Sequence, residues 1–409
     1  MTKLSEELIW RGMKAQTTLA SDSELDTKKF KFYLGMDPSA DSITVGNLAT
    51  LMLAGHLARH GHEPTLLIGG ATGQIGDPKE TGERDLKSLE EVEYNKEKIV
   101  GQFKEIIERT SGMSRDEVRF VDNYDWFKGI GYVDFLRDIG KHFSMTQLLD
   151  REFVKARIGE GASGISYAEF SYSLIQGYDF LHLNREFGMD MQVCGADQWG
   201  NCISGMQMIK KIDGKRTEVW SIPLVIDPVS GRKFGKSEGN AVWLAKERTN
   251  IFDFYQFWFN QSDEAVEGLL KIYTLLDKAE IEEVLSLHES DKSKRLAQRA
   301  LAFGATKVVH GEKMAVASER ATEILFDGKE DTEEDLVLLT EILPNYALKD
   351  GVLLVDALVE SEMLPSKGEV RRLIKGNGLS LNGVKVSDEN APAVKGIVKI
   401  GKNKFLIIK

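Results

Sequence analysis

The chain has 409 residues, of which 42% are hydrophobic and 29% are charged, and its formal net charge is −11 at pH 7. This length suits two or three domains whose cores need no disulfide support, and two cysteines cannot form a disulfide framework or a cysteine-based zinc site. The acidic balance disfavours a protein that coats nucleic acid without specificity, and no apolar run is long enough to cross a bilayer.

The first residues predict an amphipathic helix rather than a signal peptide. The sequence "MTKLSEELIWRG" mixes apolar residues with acidic ones, whereas a secretory signal has a basic start and a continuous apolar segment. Together with the low cysteine content, this favours a reducing cytoplasm.

In the first half of the chain, short apolar runs alternate with helical patterns, which predicts a parallel sheet with crossover helices. The predicted strands lie in "KFYLGMD", "EPTLLIGG", "GMDMQVCG" and "SIPLVID". The first of them is followed by "SITVGNLATLMLAGHLARHG", a predicted helix that ends at Gly61. Because functional groups in such folds gather at the carboxyl ends of the strands, the loops there are the candidate sites.

The loop "GGATGQIGDP" has glycines at positions 69, 70, 73 and 76, which permit close backbone approach or positive φ. Asp77 follows at the end of the loop. It is placed to accept hydrogen bonds from an ammonium group, although for this segment taken alone a tight turn with Asp77 as a helix cap is the more ordinary explanation.

The segment "SYAEFSYSLIQGYDFLHL" predicts an amphipathic helix with a polar stripe. Tyr172, Gln176 and Asp179 follow i, i+4, i+7 spacing and so project from one face. This stripe would make one wall of a small-molecule site. The alternative is a solvent-exposed face, which the many Tyr and Phe residues disfavour.

The strand-to-helix turn "QVCGADQWGN" is dense in hydrogen-bonding groups, with Gln192, Asp197, Gln198 and Asn201 within ten residues. Such density at a strand end indicates a binding site without naming its ligand.

The stretch "GRKFGKSEGN" contains Gly-Lys-Ser but is not a P-loop. Gly231 and Gly235 are separated by three residues, whereas a P-loop has four between its glycines. What remains is a flexible loop with Lys233 and Lys236, whose ammonium groups suit a phosphate that gains charge during a reaction. A solvated surface loop is the alternative.

From about residue 250 to residue 335 the pattern is helical, and a basic tail follows the junction "LPNYALKDG". Residues 365–409 contain ten basic and three acidic residues, a net charge of +7 that leaves −18 on the rest. The tail predicts two short helices and a hairpin that turns at Asn382-Gly383. Arg371, Arg372 and Lys375 lie on the second helix, as a solvated face or as an RNA-binding surface.

In this order, several stretches together resemble bacterial tyrosyl-tRNA synthetases over residues 1–409. They are "GMDPSADS", "GGATGQIGDP", "FSYSLIQGYDFLHL", "GADQWGN", "KFGKS", "FYQFWFN" and "LPSKGEVRRLIKGNGLSLNGVKV". The resemblance implies an α/β architecture with a Rossmann-type parallel-sheet catalytic domain at 1–245. It further implies an α-helical anticodon-side domain at 246–340 and a small α+β S4-like RNA-binding domain at 350–409.

The same resemblance implies the reaction. L-Tyrosine would be activated with ATP and Mg²⁺ to tyrosyl-adenylate and pyrophosphate, and tyrosine would then pass to the terminal ribose of tRNA(Tyr). The protein would be a cytoplasmic homodimer that contacts no membrane and has no protein-bound metal.

The residue roles carried over from the family fall into four groups. Tyr33 and Asp179 would hydrogen-bond the phenol of tyrosine, Asp77, Tyr172 and Gln176 its ammonium group, and Gln192 its carboxylate end. The expected ATP contacts are Gly35, Asp37, Ser39, Gly46, Gly195, Asp197, Gln198 and Lys236. Lys233, Lys236 and Ser237 would form the mobile loop that clasps pyrophosphate, and Arg371, Arg372 and Lys375 would bind RNA.

The chain departs from the family at the entry to its first long helix. There the family signature His-Ile-Gly-His is replaced by Thr44-Val45-Gly46-Asn47. Adenylate formation needs positioning and charge stabilisation rather than an enzyme nucleophile. The Asn47 amide can donate as histidine does, whereas the shorter Thr44 needs Ser39 or a water to reach the terminal phosphates. The sequence therefore predicts a working enzyme with both residues in the catalytic set.

Other departures leave alternatives open. Cys194 and Ala196 stand where the family usually has Gly and Ser, and the segment "DPKETGERD" offers either Lys79 or Arg84 as a phosphate contact. An RNA-binding or regulatory relative without activity, a specificity for tryptophan, and a paralogue that uses tyrosyl-tRNA outside translation are further alternatives.

Overall fold

The computed structural model describes residues 2–76, 87–149, 152–158, 164–226, 231, 234, 236–237, 240–327, 329–330, 332–402 and 404–409. The chain divides into two compact units, and neither is continuous in sequence. The first comprises Met1–Ala245 and Ser262–Glu283, and the second comprises Lys246–Gln261 and Val284–Lys409. The predicted domain limits at 245, 340 and 350 remain predictions.

The first unit is built on a six-stranded sheet. Its strands are β1 (Gln16–Thr17), β2 (Lys31–Met36), β3 (Glu63–Ile68), β4 (Arg119–Asp122), β5 (Met191–Gly195) and β6 (Glu218–Ile222). They lie in the order β1-β6-β5-β2-β3-β4, parallel throughout except for β1, which pairs antiparallel with β6. A separate two-stranded ribbon consists of β7 (Lys236–Ser237) and β8 (Asn240–Ala241).

Helices connect and cover these strands. In chain order they are α1 (Leu4–Trp10), α2 (Glu24–Thr27), α3 (Val45–Arg59), α4 (Leu89–Ser111), α5 (Tyr124–Phe127), α6 (Tyr132–Asp138), α7 (Met145–Leu149), α8 (Glu152–Arg157), α9 (Tyr167–Phe187) and α10 (Trp199–Asp213). The next helix, α11 (Ile251–Phe259), belongs to the second unit, whereas α12 (Asp263–Tyr273) returns to the first.

The topology places a crevice at the centre of the sheet. From β2 the chain proceeds through β3 to β4 on one side, and β5 and β6 lie on the other side. The connections therefore leave in opposite directions between β2 and β5, and ligands bind at such switch points. The predicted Rossmann-type parallel sheet and the predicted N-terminal helix are both confirmed.

One predicted strand lies at a different position, and one strand was missed. The strand expected in "SIPLVID" lies earlier in the chain, as β6 at Glu218–Ile222, because Pro223 has no N–H to donate to the ladder. Strand β4 was not predicted at all. It has four residues at the edge of the sheet, and two of them are exposed, so its sequence has no regular apolar pattern.

Arg11, just after α1, fastens α12 to the first unit. Its guanidinium is almost fully buried and donates to the carbonyl oxygens of Lys271 at 2.8 Å, Thr274 at 3.3 Å and Leu276 at 2.8 Å. Its Nε also donates to the Glu7 carboxylate at 2.9 Å. One side chain thereby satisfies carbonyl groups at and beyond the carboxyl end of α12, where a helix leaves acceptors unpaired.

The second unit combines helices with a small sheet. Beyond α13 (Lys278–Ser290), which crosses from the first unit, its helices are α14 (Leu296–His310), α15 (Glu312–Leu325), α16 (Glu333–Leu339), α17 (Leu354–Glu360) and α18 (Lys367–Lys375). The strands β9 (Asn345–Tyr346), β10 (Leu379–Leu381), β11 (Val384–Lys385), β12 (Gly396–Ile400) and β13 (Lys404–Ile408) form a sheet in the order β11-β10-β12-β13-β9.

The predicted local structure of the tail is confirmed. Its two short helices are α17 and α18, and β10 pairs antiparallel with β11 across the Asn382-Gly383 turn. Both turn residues have positive φ, 50° and 76°, as a two-residue hairpin of this type requires. Within the described segments, no helix is both long and apolar enough to cross a membrane.

Candidate active site

The floor of the crevice carries buried polar atoms that have no partner. Tyr33 of β2 and Gln192 of β5 are paired in register on adjacent parallel strands, and both are buried. Among the described residues, the Tyr33 hydroxyl, Gln192 Oε1 and Gln176 Oε1 accept or donate no hydrogen bond. Buried polar atoms are normally paired, so three unpaired ones from the predicted tyrosine site indicate a place for a polar ligand.

The environment keeps the Tyr33 phenol protonated. Burial raises its pKa well above the ordinary value, and the nearby Cys202 thiol and Asp179 carboxylate raise it further. The group is therefore a hydrogen-bond donor and acceptor at neutral pH.

Asp179 of α9 is held from two directions. It is 1% exposed, and its two carboxylate oxygens accept from Asn123 Nδ2 at 3.1 Å and from Trp126 Nε1 at 2.9 Å. Burial raises its pKa well above the ordinary value, and the two donors oppose that shift. Because each carboxylate oxygen has a second lone pair, Asp179 can still accept from a ligand.

The sequence did not indicate Asn123 and Trp126 as site residues. Asn123 directly follows β4, and its Oδ1 accepts from the backbone N–H of Ala71 at 2.7 Å. Its Nδ2 also lies 3.3 Å from Thr72 Oγ1. The position of Asn123 at the carboxyl end of a strand would have been a signal, but β4 itself was not recognised.

The loop that follows β2 brings Asp37 next to Tyr172. Asp37 accepts from Thr72 Oγ1 at 2.6 Å and from the Tyr172 hydroxyl at 2.9 Å. A Cβ on Gly69 would lie 2.0 Å from Asp37 Oδ1, so only glycine fits there. The close backbone approach predicted for the glycine loop after β3 is therefore present at Gly69. It leaves room for Asp37, a predicted ATP contact, beside Tyr172, a predicted contact of the tyrosine ammonium group.

At the mouth of α3, the two residues that replace histidine contact each other. Thr44, the N-cap residue, donates from Oγ1 to Asn47 Oδ1 at 2.8 Å. This contact orients the Asn47 side chain and leaves its Nδ2 group as the outward donor. Gly46 and Asn47 are exposed. The N–H groups of Val45 and Asn47 donate to the carbonyl oxygens of Val242 and Thr44, both at 3.0 Å. The donors that face a possible anion here are therefore the Gly46 N–H and the Asn47 side chain.

The loop "KFGKS" rests on this helix mouth through Phe234. The Phe234 ring is buried and lies 5.8 Å from that of Tyr273, and its N–H donates to the Val225 carbonyl at 2.8 Å. Its own carbonyl oxygen would be 3.1 Å from a Cβ on Gly46. Phe234, within the predicted lysine loop, therefore lies next to the start of α3.

The end of β5 supplies the remaining nucleotide-side candidates. Gly195 and Gln198 are partly exposed, Asp197 is exposed, and Gln198 Oε1 accepts from Asn201 Nδ2 at 3.1 Å. Gly35 and Ser39 are exposed as well, and the Ser39 N–H donates to the Asp37 carbonyl at 2.8 Å.

Cys194 and Cys202 pack behind Tyr33 in one hydrophobic cluster. Both are buried, and burial together with the neighbouring Cys194 thiol raises the pKa of Cys202 well above its ordinary value. A buried thiol with a raised pKa, such as that of Cys202, is unreactive.

Several predicted residues lie outside the described part of the chain. Asp77, Lys79, Arg84 and Lys233 are among them. The backbone of Lys236 and Ser237 forms β7, but their side chains are not described.

In the second unit, α18 presents the predicted RNA-binding residues. Arg371, Arg372 and Lys375 are exposed, although Arg371 Nε is paired with Glu389 at 2.8 Å. Arg372 is only loosely associated with Glu369, at 3.9 Å. Among the described residues, no group of three or more His, Cys, Asp or Glu side chains could hold a metal ion.

Comparison with known families accounts for nearly the whole chain. Residues 25–327 match the model of the family "tRNA synthetases class I (W and Y)", and residues 335–409 match that of the "Tyrosine--tRNA ligase SYY-like C-terminal domain".

Full-length relatives are similar throughout. The Tyrosine--tRNA ligase of Streptococcus gordonii is 38% identical over 418 residues, covering 98% of this chain and 99% of that protein. The protein of the same name from Klebsiella pneumoniae is 40% identical over 396 residues, covering 95% and 92%.

Solved structures agree. A C-terminally truncated mitochondrial tyrosyl-tRNA synthetase of Aspergillus nidulans superimposes with a TM-score of 0.70 at 30% identity, covering 80% of this chain and 95% of that one. A Plasmodium falciparum tryptophanyl-tRNA synthetase shares the fold at 13% identity, with a TM-score of 0.54 over 82% of this chain and 89% of that one.

Proposed function

Because this chain belongs to the class I tyrosyl-tRNA synthetase family, we propose that it is a tyrosine–tRNA ligase. It activates L-tyrosine with ATP to tyrosyl-adenylate and pyrophosphate, and then transfers the tyrosyl group to the terminal ribose of tRNA(Tyr). Within this chain, the observation that supports the assignment is the burial of Tyr33 and Asp179 near the switch point.

We propose that this pair recognises the phenol of the substrate. Its hydroxyl donates to a free lone pair of Asp179 and accepts from the Tyr33 hydroxyl, which otherwise has no partner among the described residues. A phenylalanine in the same pocket leaves both groups desolvated and unpaired, which costs free energy. A tryptophan places its N–H elsewhere and does not fit the same two groups.

The amino and carboxylate ends of tyrosine lie toward α9 and β5. Tyr172 lies on α9 with its hydroxyl donating to Asp37 at 2.9 Å, and we assign this side chain to the ammonium end of the substrate. The unpaired Oε1 of Gln176 is one acceptor there, and Asp77 is another. Gln192 orients the carboxylate for attack.

In the first step a carboxylate oxygen of tyrosine forms a bond to the α-phosphorus of ATP, and the bond from that phosphorus to the bridging oxygen breaks. Pyrophosphate leaves with the bonding electrons. The α3 N-terminus, the outward amide of Asn47, and the ammonium groups of Lys233 and Lys236 stabilise the charge that develops, with Ser237 beside them.

The nucleotide is held by exposed and partly exposed residues at the ends of β2 and β5 and at the start of α3: Gly35, Asp37, Ser39, Gly46, Gly195, Asp197 and Gln198. Mg²⁺ enters on the triphosphate, since it is commonly bound through substrate phosphates rather than by an all-protein cage. Its contribution is to neutralise phosphate charge.

We propose that tRNA(Tyr) contacts the second unit through α18. Arg372 and Lys375 are exposed on a tail of net charge +7, and positive surfaces of this kind bind the RNA backbone. Replacing both residues by Glu is expected to raise the KM for tRNA about tenfold or more at physiological salt, without affecting pyrophosphate exchange. A charging reaction with unchanged KM for tRNA would refute this role.

We further propose a homodimer in the cytoplasm. Large apolar side chains are exposed between residues 124 and 167, including Tyr132 at 64%, Val133 at 73% and Tyr167 at 59%. The hydroxyl oxygens of Tyr132 and Tyr167 lie 3.4 Å apart, so these two belong to one surface. Exposed apolar patches commonly mark association sites, and sedimentation of the full chain tests this one.

The decisive assay is ATP–pyrophosphate exchange with each amino acid in turn, followed by tRNA charging. Exchange that depends on tyrosine and responds weakly to phenylalanine and tryptophan is expected. Absence of exchange in folded protein would favour the alternative of an inactive RNA-binding relative.

A further inference from the structure

Trp126 is contacted by α9 at two places on its indole ring. Its N–H donates to Asp179 at 2.9 Å, and its face is stacked on the ring of His182, with centroids 4.3 Å apart and an interplanar angle of 24°. His182 follows Asp179 by three residues, so both project from the same side of the helix. One helix face therefore fixes both the direction and the plane of the indole.

The two donors to Asp179 differ in how they are held. Asn123 is locked by hydrogen bonds to the backbone of Ala71, to Thr72 and to Asp179, and its own N–H donates to the Ile68 carbonyl at 3.0 Å. Trp126 lies in α5, a helix of only four residues, and the indole has a single N–H. Its orientation must come from packing against its face.

From this arrangement we propose that His182 is a positioning residue for tyrosine recognition: by stacking on Trp126 it aims the indole N–H at Asp179, which binds the substrate phenol. The inference rests on the proposed function. It concerns specificity, since Asp179 accepts from the phenol only while its carboxylate is held in the direction that its two donors set.

The surroundings of His182 favour a neutral ring. Burial lowers its pKa, and Glu186, one turn further along α9, opposes that shift. At neutral pH the contact is therefore a stack of two uncharged rings, and such aromatic pairs contribute beyond the area that they bury. The ring of Phe187 meets His182 edge-on at 6.5 Å, which makes Phe187 a suitable control.

The test uses pyrophosphate exchange by the full-length enzyme. His182→Leu keeps apolar volume but removes the ring, whereas His182→Phe keeps a ring that can stack. We expect His182→Leu to lower the tyrosine-to-phenylalanine ratio of kcat/KM about threefold to tenfold, through a higher KM for tyrosine with the KM for ATP unchanged. His182→Phe should restore the ratio, and Phe187→Ala should leave it unchanged.

A double-mutant cycle separates positioning from general packing. In a Trp126→Phe background, which lacks the indole N–H, His182→Leu should cause no further loss of discrimination. The proposal is overturned if His182→Leu changes the ratio less than twofold, if His182→Phe fails to rescue it, or if the losses in the cycle are additive. If His182→Leu does not fold, His182→Gln replaces it, and failure of both to fold makes His182 structural and also overturns the proposal.

Failure of this inference is distinguishable from failure of the proposed function. A wild-type protein without tyrosine-dependent exchange rejects the function, whereas normal wild-type exchange with an unaffected ratio in the His182 variants rejects the inference alone.

Discussion

The proposed tyrosine pocket and the mouth of α3 lie at the same edge of one sheet, yet their polar side chains differ in exposure. In the pocket, Tyr33, Asp179 and Gln192 are at most 2% exposed. At the mouth, Gly46 and Asn47 are exposed. In the pocket, burial of the polar groups costs free energy during folding. At the mouth, the exposed donors stay hydrated in the ligand-free protein.

This difference indicates what each region contributes. Buried groups such as Tyr33 and Asp179 cannot bind water when a ligand lacks a hydroxyl, so we expect them to discriminate between similar amino acids. Exposed donors at a helix N-terminus and on a loop discriminate little, but they stabilise charge that appears during reaction. Changes in the pocket should therefore alter specificity and stability, and changes at the mouth should alter rate.

The largest effect is expected from Lys236→Ala, in the loop that we propose to act together with the mouth of α3. Loss of one charge-stabilising group typically slows the chemical step about 10²- to 10³-fold, while tyrosine affinity should stay unchanged. Pyrophosphate exchange measures the rate, and equilibrium dialysis measures tyrosine affinity. Lys246→Ala, at an exposed lysine further along the chain, is the control. An unaffected rate in Lys236→Ala would remove this residue from the site.

A smaller effect is expected in the pocket, from Tyr33→Phe, which should raise the stability of the protein and lower its amino acid discrimination. Removing the unpaired buried hydroxyl should stabilise the ligand-free protein by about 1 kcal/mol, seen as a rise in Tm of about 2–4 °C. Discrimination between tyrosine and phenylalanine should fall about tenfold.

Tyr255 provides the matched control for that variant. It is fully buried in the second unit, and its hydroxyl also has no partner among the described residues. Tyr255→Phe should therefore raise Tm without any change in amino acid discrimination. Equal losses of discrimination in both variants would mean that Tyr33 has no particular role in recognition.

The smallest effect is expected from Thr44→Val, which removes the hydroxyl that donates to Asn47. A less firmly oriented Asn47 amide should slow pyrophosphate exchange about threefold, as expected for one exposed hydrogen bond, and Thr44→Ser should restore the rate. Thr50→Val removes a hydroxyl that donates to the Asn47 carbonyl instead and should have no effect. An unchanged rate of pyrophosphate exchange in Thr44→Val would show that Asn47 does not need the hydrogen bond from Thr44.

Local patterns predicted much of this site. The spacing of Tyr172, Gln176 and Asp179 within one helix was sufficient to place them together, because helical periodicity is a short-range property. The glycines before Asp77 indicated close approach for the same reason. The hydrogen bond from Thr44 to Asn47 was within reach of the same reasoning, since it joins residues three apart.

Contacts between distant segments were not predictable in this way. Asn123 and Trp126 reach Asp179 across 56 and 53 residues, and they depend on β4, whose exposed edge position leaves no alternating pattern. The stack of His182 on Trp126 likewise arises only when α9 packs beside the segment after β4. Tertiary placement, not local propensity, decides such pairs.

The three carbonyl groups held by Arg11 bear on how the protein is made. Arg11 leaves the ribosome early, but its acceptors at Lys271, Thr274 and Leu276 follow some 260 residues later. A nascent chain that ends near residue 245 must therefore keep this guanidinium hydrated and the surface beside α1 uncovered. The first unit can therefore be completed only after translation has passed Leu276. A fragment that ends before α12 lacks these carbonyl acceptors and cannot form the contacts of Arg11.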